Sequence, residues 1–359
     1  MTSLAASSLC VDANGGAGDE IQNTAGVQPL SRLPRLGFLG IGWIGRHRLG
    51  AIAKSGAAEI TGLSDFDFDA ATATASELSG VLAVESLNKL LQLELDGLVI
   101  ATPTALHAEN AVTALASGLA VFCQKPLGRT KAETERVIEA ARRADRLLAV
   151  DMSYRYLRGV TKIKSLLDSQ AIGELYALDL SFHNAYGPDK SWYYDPRLSG
   201  GGCVIDLGIH LVDMALWILG SPRIESVSSR LFAQGSPVKK PDETLEDYAV
   251  ARLDFQTGAT ATLSCSWNLP AGRDAVIRAS FFGTKGGLSI HNVGGSFYDF
   301  RCEQFTGTSR TILDQPPDEW GGRAAVGWVQ QLSESRAYDP AIEQAKAVAA
   351  VVDRIYGRE

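Results

Sequence analysis

From Arg35 onward, short apolar runs alternate with longer amphipathic stretches, the pattern that builds a parallel sheet with helices on both faces. The runs predict strands over 36–39, 59–63, a short one at 82–84, then 97–101, 119–123 and 147–151. Thr130 and Glu133 have the spacing of a capping box and predict a helix ending near Ala144. Ser86 and Thr104 are expected to cap two further helices. Strands in this order fit one α/β domain over residues 34–153, a doubly wound parallel sheet of the Rossmann type. Its crevice opens beyond the carboxyl ends of the strands, where the strand order reverses.

After Tyr154 the texture changes. A helix is expected over 160–167, strand alternation over 175–182, and then a loop rich in aromatics and glycine over 186–202. A strongly apolar helix follows over 204–219. Strand-like runs dominate 224–300, with turns at Thr257-Gly258 and Gly286-Gly287, and a final helix covers 340–356. Residues 154–359 therefore read as an α+β domain with a mostly antiparallel sheet. Residues 1–33 are small and polar, with too little apolar surface to offset ordering entropy, and read as a disordered tail.

A length of 359 residues with 45% apolar and 21% charged positions supports two globular domains. The net charge of −7 gives little attraction for polyphosphate, so nucleic acid is not an expected partner. Five cysteines without a CxxC pair read as reduced thiols. The first 30 residues contain no Lys or Arg, so no secretory signal is expected, nor any membrane span; a cytoplasmic protein is expected.

The segment Gly40-Ile41-Gly42-Trp43-Ile44-Gly45 directly follows the first strand and opens a helix. Such glycines allow a tight turn and close approach of a pyrophosphate to the helix N-terminus, although the same residues would also make a plain glycine-rich turn. Asp65 ends the second strand, where an acid accepts hydrogen bonds from ribose hydroxyls; Asp65, Asp67 and Asp69 would equally form a solvated turn and cap. With no Lys or Arg between Asp65 and Asn88 to receive a 2′-phosphate, NAD is expected over NADP. Thr102-Pro103 and Gln124-Lys125-Pro126 end two later strands on the same edge, and Lys125 is read as a site residue against the alternative of a surface lysine. His107 falls just after Thr104, where a structural role is the alternative to contact with the cofactor.

Gly200-Gly201-Gly202 leads into the apolar helix, on which Asp206, His210 and Asp213 are spaced to share one face. Ionisable groups there need a purpose or mutual pairing. Histidine suits proton transfer near neutral pH; a buried hydrogen-bond network and a metal site are the alternatives, and no metal motif is present. Trp192 and Tyr193, with Tyr186, Tyr194, Asp189 and Lys190 nearby, suit the apolar faces and hydroxyls of a sugar or cyclic polyol, or else pin the loop. Tyr154, Arg155 and His183 are further substrate candidates.

Together LGFLGIGWIGRHR, VIATPTALHAENAVTALASGLAVFCQKPLGRT and LSGGGCVIDLGIHLVDMALWILG resemble the glucose-fructose oxidoreductase / inositol dehydrogenase / rhizopine-catabolism (Gfo/Idh/MocA) family, over about residue 33 to the C-terminus. The resemblance implies an open C-terminal sheet that makes oligomer contacts, a homodimer or homotetramer. It aligns Lys125 with the lysine of the family's Glu-Lys-Pro motif, and Asp206 and His210 with its catalytic Asp and His. His210 would be the acid/base, and Lys125 and Asp206 would orient and polarise the reacting oxygen. The resemblance also allows two other roles: a non-catalytic NAD-binding regulator, or an NAD-dependent glycosidase. The family's usual Glu is Gln124 here.

Overall fold

The structure, a computed structural model, describes residues 31–358. Most of the expected tail, and Cys10 with it, lies outside the described residues. Arg32 is already tied to the first domain by an ion pair with Asp96.

The first domain runs β1 (Arg35–Leu39), α1 (Trp43–Ser55), β2 (Glu59–Ser64), α2 (Phe68–Ser76), β3 (Leu82–Ala83), α3 (Leu87–Leu90), β4 (Gly97–Ile100), α4 (His107–Ala116), β5 (Ala120–Cys123), α5 (Lys131–Ala144) and β6 (Leu148–Val150). Its strands form one parallel sheet in the order β3-β2-β1-β4-β5-β6, and each lies within a residue of its expected bounds. Leu36, Phe38, Leu98, Val99, Ile100 and Val121 are wholly buried, which is why these strands read as continuous apolar runs. The order reverses between β1 and β4, and the crevice opens there.

The caps differ in detail from expectation. Ser86 Oγ accepts from Lys89 N–H at 3.4 Å as expected. Thr130 Oγ1 accepts from Glu133 N–H at 3.2 Å, but the Glu133 carboxylate returns to Arg129 N–H at 2.8 Å, one residue before the cap. Thr104 is not a cap: it starts a single 3₁₀ turn, Thr104–Leu106, and α4 begins behind it at His107 with no side-chain cap.

The second domain contains α6 (Arg158–Asp168), β7 (Leu175–Asn184), α7 (Pro196–Ser199), a π-helical turn (Val204–Gly208), α8 (Ile209–Leu219), β8 (Ile224–Ala233), β9 (Ser236–Pro237), β10 (Tyr248–Phe255), β11 (Thr260–Ser266), β12 (Ala275–Gly283), β13 (Gly286–Asn292), β14 (Phe300–Thr306), β15 (Ser309–Asp314), α9 (Arg323–Glu334) and α10 (Glu343–Tyr356). Nine strands form one sheet in the order β15-β14-β13-β12-β7-β11-β10-β8-β9, with β7 and β11 parallel and the other neighbours antiparallel. Leu178, Leu180 and Phe182 of β7 point inward with Leu263 and Cys265 of β11, and α8 packs on them. α8 is buried nearly all round, between this sheet and Val348, Val351, Val352 and Ile355 of α10. Within the helical stretch Pro196–Leu219 a run of 18 residues has a mean hydropathy of 1.7, enough by composition for a membrane span, and 83% of that run is buried inside the fold.

Three features depart from the expected elements, the first being that the strands run on past 300 as β14 and β15. Gly286 and Gly287 are not a turn: they pair in β13 with Gly283 and Phe282, and a Cβ at Gly286 would lie 2.8 Å from Phe305 O. No helix was expected between 300 and 340. There α9 sets Ala325, Trp328, Val329 and Leu332 against Leu36, Phe38 and Phe122, so the far end of the chain closes one face of the first sheet.

Candidate active site

The carboxyl ends of β1, β2, β4 and β5 open into a cleft of about 630 Å³, whose far wall is formed by Asp189, Lys190, Trp192 and Tyr193. Gly40 turns the chain at φ +95°, and a Cβ there would lie 2.5 Å from the Ala101 carbonyl, so only glycine lets β1 and β4 close at this point. Gly42 caps α1 by backbone alone, leaving the first-turn N–H groups without a side-chain acceptor. A Cβ at Gly42 would project into open space, so there is room for an anion over that terminus. Trp43 and Ile44 line the cleft, and Gly45 is buried in the first turn of α1.

Asp65 Oδ2 accepts from Ile41 N–H at 2.5 Å and its Oδ1 from Asp67 N–H at 2.9 Å, which ties the end of β2 to the glycine turn. Its remaining lone pairs face the cleft, with Phe66 fully exposed beside it. Asp67, not Asp65, caps α2. Thr102 and Pro103 line the cleft. His107, almost wholly buried, bridges their loop to that of Lys125: Nδ1 lies 2.7 Å from Pro126 O and Nε2 2.7 Å from Thr102 O. Burial holds its pKa below the usual histidine range against these two bonds.

Lys125 and the π-helical turn meet across the cleft. Lys125 Nζ donates to Asp206 O at 2.6 Å and to Asp206 Oδ1 at 2.9 Å. Asp206 Oδ2 accepts from Trp267 Nε1 at 3.0 Å, so both carboxylate oxygens are held. His210 reaches the same cleft. Among the described residues its ring nitrogens have no hydrogen-bond partner, and its ring packs 4.8 Å from that of Tyr154. Burial, then the nearby charges of Lys125 and Arg48, push its pKa well below the usual histidine range, so the ring is a neutral proton acceptor at pH 7.

The glycines before this turn are explained by what it leans on. Glu246 is wholly buried; its Oε2 accepts from Gly202 N–H at 3.1 Å, and its Oε1 from Val204 N–H at 2.9 Å and the Tyr356 hydroxyl at 2.8 Å. A Cβ at Gly202 would lie 1.9 Å from Glu246 O. Gly202→Ala is accordingly expected to displace the segment before β10 that carries Glu246 and cost roughly 2–4 kcal/mol of stability, measurable as a fall in denaturation midpoint. An unchanged midpoint would show that the turn repacks freely.

Several expected residues lie elsewhere. Asp213 does not join Asp206 and His210: the π-helical turn shifts the helical phase between Asp206 and α8, and Asp213 is clamped by the Arg155 guanidinium, with Nε to Oδ2 at 2.8 Å. Arg155 is therefore committed to a structural pair and does not line the cleft. His183 is on the opposite face of the nine-stranded sheet, hydrogen-bonded to Ser266 Oγ at 2.8 Å and Ser264 Oγ at 3.1 Å and stacked on Tyr248. Tyr154 stands behind His210, in contact with Phe182, Phe300 and Trp320, rather than in the cleft wall. Trp192 and Tyr193 do line the cleft, stacked with ring centroids 3.8 Å apart. Arg48, Asp151, Ser153 and Trp267 were not anticipated. Arg48 had a visible signal: with Gly45, Leu49 and Ile52 it occupies the buried face of α1, where an arginine needs a partner.

The family described as "Oxidoreductase family, NAD-binding Rossmann fold" matches residues 34–152, and "GFO/IDH/MocA C-terminal domain" matches residues 160–289. The chain belongs to the Gfo/Idh/MocA oxidoreductase family, and its first domain is an NAD-binding domain. It is similar to D-glucoside 3-dehydrogenase of Escherichia coli (strain K12), 26% identical over 56% of this chain and 60% of that protein's length. It is also similar to myo-inositol 2-dehydrogenase of Thermotoga maritima, 28% identical over 72% of this chain and 75% of that protein. A solved levoglucosan dehydrogenase in complex with NADH and levoglucosan shares the fold, with a TM-score of 0.77 at 19% identity, covering 90% of this chain and 96% of that one.

Proposed function

We propose that this protein is an NAD-dependent dehydrogenase that interconverts a secondary alcohol and a ketone on a sugar, cyclic polyol or sugar derivative. The observation that carries the reading is a single cleft lined by the glycine turn, by a fixed ammonium, Lys125, and by a neutral imidazole, His210, that has no hydrogen-bond partner among the described residues. The α1 N-terminus would hold the pyrophosphate, Asp65 the adenosine ribose, and Trp43 and Phe66 the flanks of the adenine. When bound, NAD supplies the acceptor or donor of hydride.

In the oxidation direction His210 takes the hydroxyl proton, and Lys125 stabilises the negative charge developing on that oxygen. Asp206 fixes the ammonium by two bonds. In the reverse direction the imidazolium returns the proton. Stacked Trp192 and Tyr193 present an apolar face to ring C–H groups, and Asp189 and Lys190 lie at the rim to meet hydroxyls. Names such as D-glucoside 3-dehydrogenase and myo-inositol 2-dehydrogenase among the relatives support this substrate class.

The test is a panel of inositols, aldoses and simple glycosides with NAD, followed at the nicotinamide absorbance band. Net NADH formation on at least one compound is expected. Binding of NAD with no turnover on any would favour a sensor, and sugar release without net NADH a glycosidase. Asp65→Ala should weaken NAD by roughly tenfold, on the scale of one charge-assisted hydrogen bond, and NADP much less. Equal losses would remove Asp65 from the ribose. The same reading makes the outward face of the nine-stranded sheet, where Val250 and Phe282 are exposed, the contact of a homo-oligomer.

A further inference from the structure

Behind Lys125 and His210 lies a second charged cluster that the reaction as described does not use. Arg48 and Asp151 are buried, 5% and 0% exposed, and pair through Nε and Oδ2 at 2.5 Å. Gln124 Nε2 donates to the same Oδ2 at 2.5 Å. Asp151 Oδ1 is enclosed and has no partner among the described residues. Backbone bonds fix the geometry: Asp151 N–H donates to Cys123 O at 2.9 Å and Gln124 N–H to Ile100 O at 2.9 Å, so the ends of β4, β5 and β6 are held side by side. All three side chains border the cleft that contains Lys125 and His210.

Gln and Glu have the same shape. A Glu at position 124 would set a second carboxylate oxygen about where Gln124 Nε2 now meets Asp151, and two carboxylates at that separation do not both ionise. In this chain the carboxylate of the cluster is Asp151, bonded to Gln124 and Arg48.

We propose that Asp151, held between Gln124 and Arg48, is a positioning residue that supplies from the end of β6 the carboxylate a Glu-Lys-Pro motif would place at 124. Arg48 balances that charge, and the two together set the field on His210. Arg48 from α1 and Lys125 beyond β5 are the charges that act on that ring and Tyr154 packs on it; Asp151 is tied to Arg48, Asp206 to Lys125, and Asp213 is neutralised by Arg155. The proposal rests on His210 as the proton-transfer group.

The test reads His210 directly, by NMR titration of the histidine-labelled full chain, with the signal assigned through His210→Gln. Arg48→Met leaves Asp151 uncompensated and is expected to raise the His210 midpoint by about one pH unit or more. Asp151→Asn leaves Arg48 uncompensated and should lower it, so that the ring stays neutral further into acid. Arg48→Lys keeps the charge and should leave the midpoint in place. Gln124→Glu combined with Asp151→Asn, which moves the carboxylate back, should restore it. In turnover assays the acidic limb of kcat/KM should move in the same direction as each midpoint.

Shifts of the same sign for Arg48→Met and Asp151→Asn, or no shift in either, would overturn the proposal, as would failure of the double variant to restore the midpoint. The two readings fail separately. Midpoints that move as stated, with no sugar or polyol turned over, would sink the dehydrogenase and leave the cluster's role standing. Turnover with unmoved midpoints would do the reverse.

Discussion

His210→Ala is expected to reduce turnover by roughly 10²–10⁴-fold while changing NAD affinity little. The split follows from placement. Among the described residues the imidazole has no hydrogen-bond partner, so its removal breaks no hydrogen bond there. It sits on the α8 side of the cleft, whereas the proposed pyrophosphate and ribose sites lie on the β1, β2 and β4 side. Proton transfer from the substrate hydroxyl is then left to water, which is neither positioned nor matched in pKa. By the relation of about 1.4 kcal/mol per factor of ten, the loss corresponds to roughly 3–5 kcal/mol of barrier. Steady-state kinetics on the best panel substrate, beside a nucleotide titration, separates the two effects. Full activity would remove proton transfer from His210.

Lys125→Met is expected to lower kcat by roughly 10²–10³-fold, the scale for removing one fixed donor from a developing oxyanion. This variant differs from His210→Ala in a diagnostic way. The ammonium also holds Asp206, so its loss leaves a nearly buried carboxylate, 13% exposed, bonded only to Trp267. The lost positive charge should also let the His210 pKa rise toward its ordinary value. The residual activity of Lys125→Met should therefore fall off at higher pH on its acidic side than that of the unaltered protein. Retained kcat with an unmoved pH profile would show that Lys125 only ties two loops together.

The parts of this site that could be read from sequence are those whose meaning is local. The glycine turn, Asp65 at the end of β2, and Lys125 at the end of β5 follow from apolar runs and the residues just past them. Asp206 and His210 stood out as ionisable residues on an apolar helix. Asp213 stood out for the same reason but was misplaced: it shares α8 with His210, and its pairing with Arg155, 58 positions away, leaves no local trace. His183 was misplaced although the parity was visible. With Leu178, Leu180 and Phe182 inward, position 183 must face outward.

The rest depends on contacts between distant positions. Arg48 meets Asp151 across 103 positions, Trp267 reaches Asp206 across 61, and Tyr356 reaches Glu246 across 110. No local pattern announces such partners. What sequence does offer is the anomaly on one side of each pair, such as an arginine on a buried helix face.

Lys125 and His210 come from separate domains, and the chemistry requires them to share one substrate oxygen. A crystal structure with NAD and a turned-over sugar or polyol should show that oxygen within about 3.2 Å of both Lys125 Nζ and a His210 ring nitrogen, with its carbon facing the nicotinamide. A ligand bound productively against the nicotinamide whose oxygen met neither group would contradict the mechanism.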